Sequence, residues 1–137
     1  MTTRILCLVC VWALPLLPQV RFEGGEMKGF TKSPTEHIIE PLGEQAPLRV
    51  IEGVVVSKSL PKPMPGVLVE IRGPDPREDI KSVVSDRNGH FRFKGLSKGE
   101  YSIKVTYGGF RSVFGRVAVE PFVKNWKSLR IEMLPGV

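Results

Sequence analysis

From Leu48 onward, apolar and polar residues alternate at every second position, in short runs broken by Gly, Pro, Asn and Asp. A period of two belongs to the β-strand, because successive side chains point to opposite faces of a sheet. The runs are residues 49–57 (RVIEGVVVS), 67–72 (VLVEIR), 79–85 (DIKSVVS), 90–94 (HFRFK), 100–107 (EYSIKVTY), 110–120 and 127–134. The 110–120 run reads as one strand or a bent pair, with Gly115 a candidate bulge. In the 100–107 run, Tyr101, Ile103, Val105 and Tyr107 fall on one face and Ser102, Lys104 and Thr106 on the other. Asp86-Arg87-Asn88-Gly89 reads as a tight hairpin turn, since Asn-Gly tolerates positive φ. Residues 94–99 form a second turn, and Gly108-Gly109 interrupts the ladder. About seven short strands with turns every 8–12 residues describe an antiparallel sandwich. After the leader there is no amphipathic helical stretch of 10–15 residues, which argues against α/β folds. The body, residues 48–137, is long enough to fold on its apolar core without disulfides.

The N-terminus reads differently. Residues 5–17 (ILCLVCVWALPLL) are an uncharged apolar run behind Arg4, too short for a membrane span and right for a signal-peptide core. Residues 1–20 are therefore expected to be a signal peptide, and the chain to be secreted or periplasmic. No small-x-small triplet marks the cleavage site, so the alternative is an uncleaved anchor, the one route to a membrane. Cys7 and Cys10 have C-x-x-C spacing, but both lie in this leader and the chain has no other cysteine. Two His and two Cys leave few ligands for a transition metal, and no cofactor is expected. Residues 21–47 carry scattered Gly and Pro and no sustained period, and read as a flexible spacer. Ile38-Ile39 is the one place in it that would add a short strand to a sheet edge.

Several strings in the body carry a family resemblance. They are Ile51-Glu52-Gly53-Val54-Val55, Pro65-Gly66-Val67, Val69-Glu70-Ile71, residues 85–93 (SDRNGHFRF), Gly95-Leu96, residues 99–105 (GEYSIKV) and Gly109-Phe110. The D-x-x-G-x-F-x-F-x-x-L-x-x-G-x-Y-x-I-x-V pattern resembles the carboxypeptidase regulatory-like domain. The resemblance implies an all-β, seven-stranded antiparallel Greek-key β-sandwich of the transthyretin-like kind, and a module without catalytic function. Phe91, Phe93, Tyr101, Ile103 and Val105 are its expected core, and Leu96 its cap from a loop. A related sandwich group hydrolyses a urate-derived ring with a Tyr-Arg-Gly-Ser C-terminus. This chain ends Leu134-Pro135-Gly136-Val137, which counts against that activity.

Candidate site residues fall into several groups. Ser85, Asp86 and His90 are close in sequence, yet they flank one turn, and a triad needs three groups aimed at each other. Asp86-x-Asn88 starts like a calcium loop, but His90, Arg92 and Lys94 occupy the later ligand positions. His37 lies in the spacer with no companion. Asp75, Glu78 and Asp79 interleave with Arg72, Arg77 and Lys81, so local ion pairing is expected. Arg92, Lys94, Lys104 and Arg130 sit at outward-facing strand positions and would form a cationic face, or simply a solvated one. Trp126, with Phe122 near it, would stack on a sugar ring or close the core; Tyr107, Phe110 and Phe114 rank next. The expected function is binding or assembly, with Trp126, Phe122, Tyr107, Arg92 and Lys104 as candidate contacts. The alternatives are a carbohydrate-binding protein and, with least support, a small hydrolase. The expected partner is a glycan or another envelope protein, and not nucleic acid.

Overall fold

The computed structural model describes residues 25–34, 38–75, 77–124 and 126–136. The leader with Cys7 and Cys10, and His37, lie outside these. Eight strands form: β1 (Glu40–Pro41), β2 (Glu52–Ser57), β3 (Leu68–Arg72), β4 (Lys81–Val84), β5 (His90–Arg92), β6 (Gly99–Thr106), β7 (Val113–Val119) and β8 (Leu129–Met133). They make a five-stranded sheet ordered β1-β7-β6-β3-β4 and a three-stranded sheet ordered β5-β2-β8. The two sheets pack face to face as an all-β sandwich.

The core is the set of alternate side chains from both layers. Val69 and Ile71 from β3, Tyr101, Ile103 and Val105 from β6, and Val113, Val117 and Val119 from β7 line one side. Val55, Phe91, Leu129, Ile131 and Met133 line the other, with Phe93 just past β5. Each such side chain contributes about 1.5–3 kcal/mol when removed from water. Leu96 packs against this core from its loop, half-buried. The Tyr101 hydroxyl donates to the Ser97 carbonyl at 2.7 Å, which satisfies its one polar atom at the core's end.

Details of the pairing depart from expectation. The central strand β2 runs antiparallel to β5 but parallel to β8, and β1 is parallel to β7. Alternation within a strand is the same in both arrangements, so the sequence pattern does not distinguish them. Asp86-Arg87-Asn88-Gly89 is not the tip of a hairpin. β4 belongs to the large sheet and β5 to the small one, so the turn carries the chain between layers. Gly89 takes φ 76° there, and a Cβ on it would lie 2.6 Å from the Val55 carbonyl oxygen. Gly115 is no bulge. It sits in unbroken register opposite Ile103, and Leu42 occupies the space its side chain would fill, 2.5 Å from an ideal Cβ.

The expected spacer is attached over its described part. Glu40 and Leu42 donate backbone N–H groups to the Ser112 and Phe114 carbonyls at 2.9 and 2.8 Å, placing β1 on the edge of the sheet. Leu48 enters the core. Upstream, residues 25–34 lie across the outer face of the five-stranded sheet. Phe30 packs edge-on against Phe114, with ring centroids 5.8 Å apart, and the Arg72 guanidinium lies 5.0 Å over the Phe30 ring. Thr31 donates its N–H to one Glu70 oxygen at 3.0 Å and its hydroxyl to the other at 3.2 Å. Arg72 reaches the Lys28 carbonyl, and Arg116 pairs with Glu26.

This cover corrects the assignment of Lys104 to a solvent face. Lys104 does point away from the core, beside Glu70 on β3 and Phe114 on β7, but it is only 1% exposed. Its ammonium donates to the Thr31 carbonyl at 2.7 Å. Thr106, next on the same face, is buried too. A long lysine stem can lie along apolar surface while its head bonds to a backbone oxygen.

Candidate functional site

The outer face of the three-stranded sheet is open along β5 and β8, while Val56 of β2 is buried. The β2–β5 register sets Glu52 opposite Arg92 and Val54 opposite His90. On the other flank of β2, Val54 faces Arg130 and Val56 faces Glu132. The connection from β7 to β8 then folds back beside β2 and brings Trp126 to Glu52. The Trp126 indole N–H donates to Glu52 Oε1 at 2.7 Å, and Arg92 Nε lies 3.5 Å from Glu52 Oε2. One carboxylate thus orients an aromatic ring and a guanidinium from two different elements.

A groove of about 460 Å³ runs along this face, lined among others by Glu52, Val54, Asp86, His90, Arg92 and Trp126. That volume lies within the roughly 300–1,000 Å³ of small-molecule sites. Trp126 is 56% exposed, so its ring is available to a ligand rather than spent on closing the core. Arg49 backs it: the guanidinium carbon lies 5.8 Å from the ring centroid, and Nε donates to the Val123 carbonyl at 2.7 Å. Asp86 Oδ1 accepts the backbone N–H groups of Asn88 and His90, both at 2.9 Å, which fixes the turn at one end of the groove.

Of the candidate contacts, Trp126 and Arg92 meet here. Phe122 stands on the adjoining loop, 92% exposed, outside the groove. Tyr107, 37% exposed, pairs with Phe110 at a centroid distance of 5.6 Å instead. Lys104 lies under residues 25–34. The expected cationic face is a mixed one, because Arg92 pairs with Glu52 and Arg130 with Glu132 at 3.5 Å each. Sequence reasoning did not single out Glu52 or Arg49. The signal for Glu52 was present: a lone carboxylate in a β-branched strand, at an outward position.

The triad arrangement does not form. Ser85 is buried; its Oγ donates to the Met64 carbonyl at 2.7 Å and accepts the Val67 N–H at 2.9 Å. That hydroxyl ties β4's end to the segment before β3. Among the described residues, no group of three His, Cys, Asp or Glu side chains is placed to hold a metal ion. Asp75 does pair locally with Arg77, at 3.1 Å. The Arg77 side chain, and after it the Arg77 backbone N–H, hold the Asp75 carboxyl below its ordinary pKa.

Three solved structures are similar to this chain. The Klebsiella pneumoniae 5-hydroxyisourate hydrolase is 16% identical, with a TM-score of 0.49 over 64% of this chain and 92% of the hydrolase. The Bacillus cereus major pilin subunit BcpA is 21% identical, with a TM-score of 0.47 over 62% of this chain and 27% of the pilin. The Streptococcus pneumoniae pilus adhesin RrgA is 17% identical, with a TM-score of 0.45 over 65% of this chain and 15% of the adhesin. This chain therefore spans only a small part of the pilin and the adhesin. No curated protein matches it. The family model of the carboxypeptidase regulatory-like domain matches residues 50–130, from the start of the β2 run into β8. The chain belongs to the carboxypeptidase regulatory-like domain family.

Proposed function

We propose that this chain is an exported, non-catalytic β-sandwich module that recognises a saccharide in the groove beside Trp126. The carrying observation is the exposed Trp126 ring, locked in orientation by its N–H bond to Glu52. The face of an indole is electron-rich and attracts the positive C–H groups on the apolar face of a pyranose. Arg92, Asp86, His90 and Ser128 line the same groove and supply donors and acceptors for hydroxyl groups. A ring that is already oriented loses little conformational freedom on binding. Non-catalytic function is supported by Ser85, whose hydroxyl proton is committed to a buried carbonyl.

A glycan array probed with the full chain tests this reading. Binding to a subset of glycans is expected, and Trp126→Ala should weaken it at least tenfold while leaving the thermal midpoint nearly unchanged. Glu52→Gln, which keeps the side-chain shape, should weaken it less. An array with no signal above background, or equal binding by Trp126→Ala, would overturn the proposal.

A further inference from the structure

We infer that the loop carrying Phe122 is a docking point for an anionic lipid surface. Among the exposed large apolar side chains of the described residues, Phe122 is the most exposed, at 92%. The loop beneath it is held in place. Glu120 donates its N–H to the Leu48 carbonyl at 2.7 Å, and Val123 donates its N–H to the Glu120 carbonyl at 3.3 Å. The Val123 carbonyl in turn accepts from Arg49. The phenyl ring is therefore presented outward by a pinned turn.

Two lysines stand close to it along the chain. Lys124 and Lys127 are exposed and, with Ala46, Pro47 and Val123, line a hollow of about 270 Å³ beside the loop. The nearby Glu120 carboxylate is matched by Lys98 at 2.9 Å. An apolar ring flanked by lysines fits the boundary between acyl chains and anionic headgroups, where the ring enters and the ammonium groups stay at the surface. A single ring and two lysines make such docking weak and reversible, and a second attachment would be needed for stable anchoring. Phe122 lines no part of the Trp126 groove, so this inference goes beyond the saccharide reading and stands without it.

The experiment uses the full chain with Trp12→Phe, which leaves Trp126 as the sole tryptophan. Vesicles are phosphatidylcholine alone, or phosphatidylcholine and phosphatidylglycerol in equal parts. The leader contributes equally to every variant, so the readout is the difference between variants. With the mixed vesicles, Trp126 emission should shift to the blue, because its half-exposed ring lies beside the docking loop. Phe122→Ser should abolish that shift with no change in thermal midpoint. Lys124→Glu with Lys127→Glu should lower partitioning onto mixed vesicles by about tenfold or more, with little effect on phosphatidylcholine alone. An emission spectrum that mixed vesicles leave unchanged, or a shift that survives Phe122→Ser, would overturn the inference. Equal partitioning of the charge-reversed chain would do the same. A chain that is silent on the glycan array but shifts on vesicles would lose the groove reading and keep this one.

Discussion

The two sheets of this sandwich differ in how much of the outer face is covered. On the five-stranded sheet, the outward residues Glu70, Lys104 and Phe114 are buried beneath residues 25–34, while Ser82, Val84 and Arg116 on the same face stay exposed. On the three-stranded sheet, the outward residues His90, Arg92, Arg130 and Glu132 are exposed, and Trp126 stands beside them. Both faces carry charged residues at alternate positions. The difference is the chain that returns over one of them and not the other. The part of a sheet face covered by its own polypeptide contributes stability; the open face is where we propose recognition.

The sharpest test of that contrast is a matched pair of truncations. Lys104→Ala on the covered face should cost about 2–4 kcal/mol in urea unfolding, from lost stem packing and an orphaned Thr31 carbonyl. Arg130→Ala on the open face, where the guanidinium pairs with exposed Glu132, should stay within about 0.5 kcal/mol. Equal costs would erase the distinction. Lys104→Met keeps most of the stem and should recover part of the loss, measured in the same way.

The edge where β1 seals the large sheet should be nearly as sensitive. Gly115→Ala places a methyl group against Leu42 and should destabilise the fold by about 1–3 kcal/mol. Adding Leu42→Gly to Gly115→Ala removes the Cβ that the new methyl group would strike, so the double variant should lose less than the two single losses added together. Strict additivity by chemical denaturation would mean that Leu42 does not rest on Gly115.

The smallest expected effect runs the other way. Among the described residues, Thr106 Oγ1 is a buried side-chain oxygen without a hydrogen-bond partner. Thr106→Val removes that hydroxyl at almost constant shape and should raise stability by about 1 kcal/mol, read as a higher denaturation midpoint. A loss of stability would show that the hydroxyl is satisfied on this covered face.

Much of the fold was legible because strand burial leaves a periodic trace. The alternation that singled out Phe91, Phe93, Tyr101, Ile103 and Val105 reflects side chains that all face one layer, and the structure buries them there. The same reasoning misplaced Lys104, since period two reports which face a residue occupies and not what lies over that face. It also read residues 21–47 as a spacer. The described ones attach through backbone bonds from Glu40 and Leu42, and through single contacts at Phe30 and Thr31, which leave no period. The groove was half legible. Trp126 and Arg92 stood out as an unplaced aromatic and an outward cation, whereas Glu52 and Arg49 gained their roles from neighbours roughly 75 residues away.

By itself, the order of residues determined that this chain folds into two layers of short strands and which side chains meet between them. The turn residues and the apolar repeat are local properties, and local sterics and burial are enough to read them. Only the tertiary structure decided that β8 lies parallel to β2, that a returning segment covers part of one sheet, and that Trp126, Glu52 and Arg92 converge on the other. Those outcomes depend on contacts between residues far apart along the chain, whose energies exist only once the chain has closed on itself.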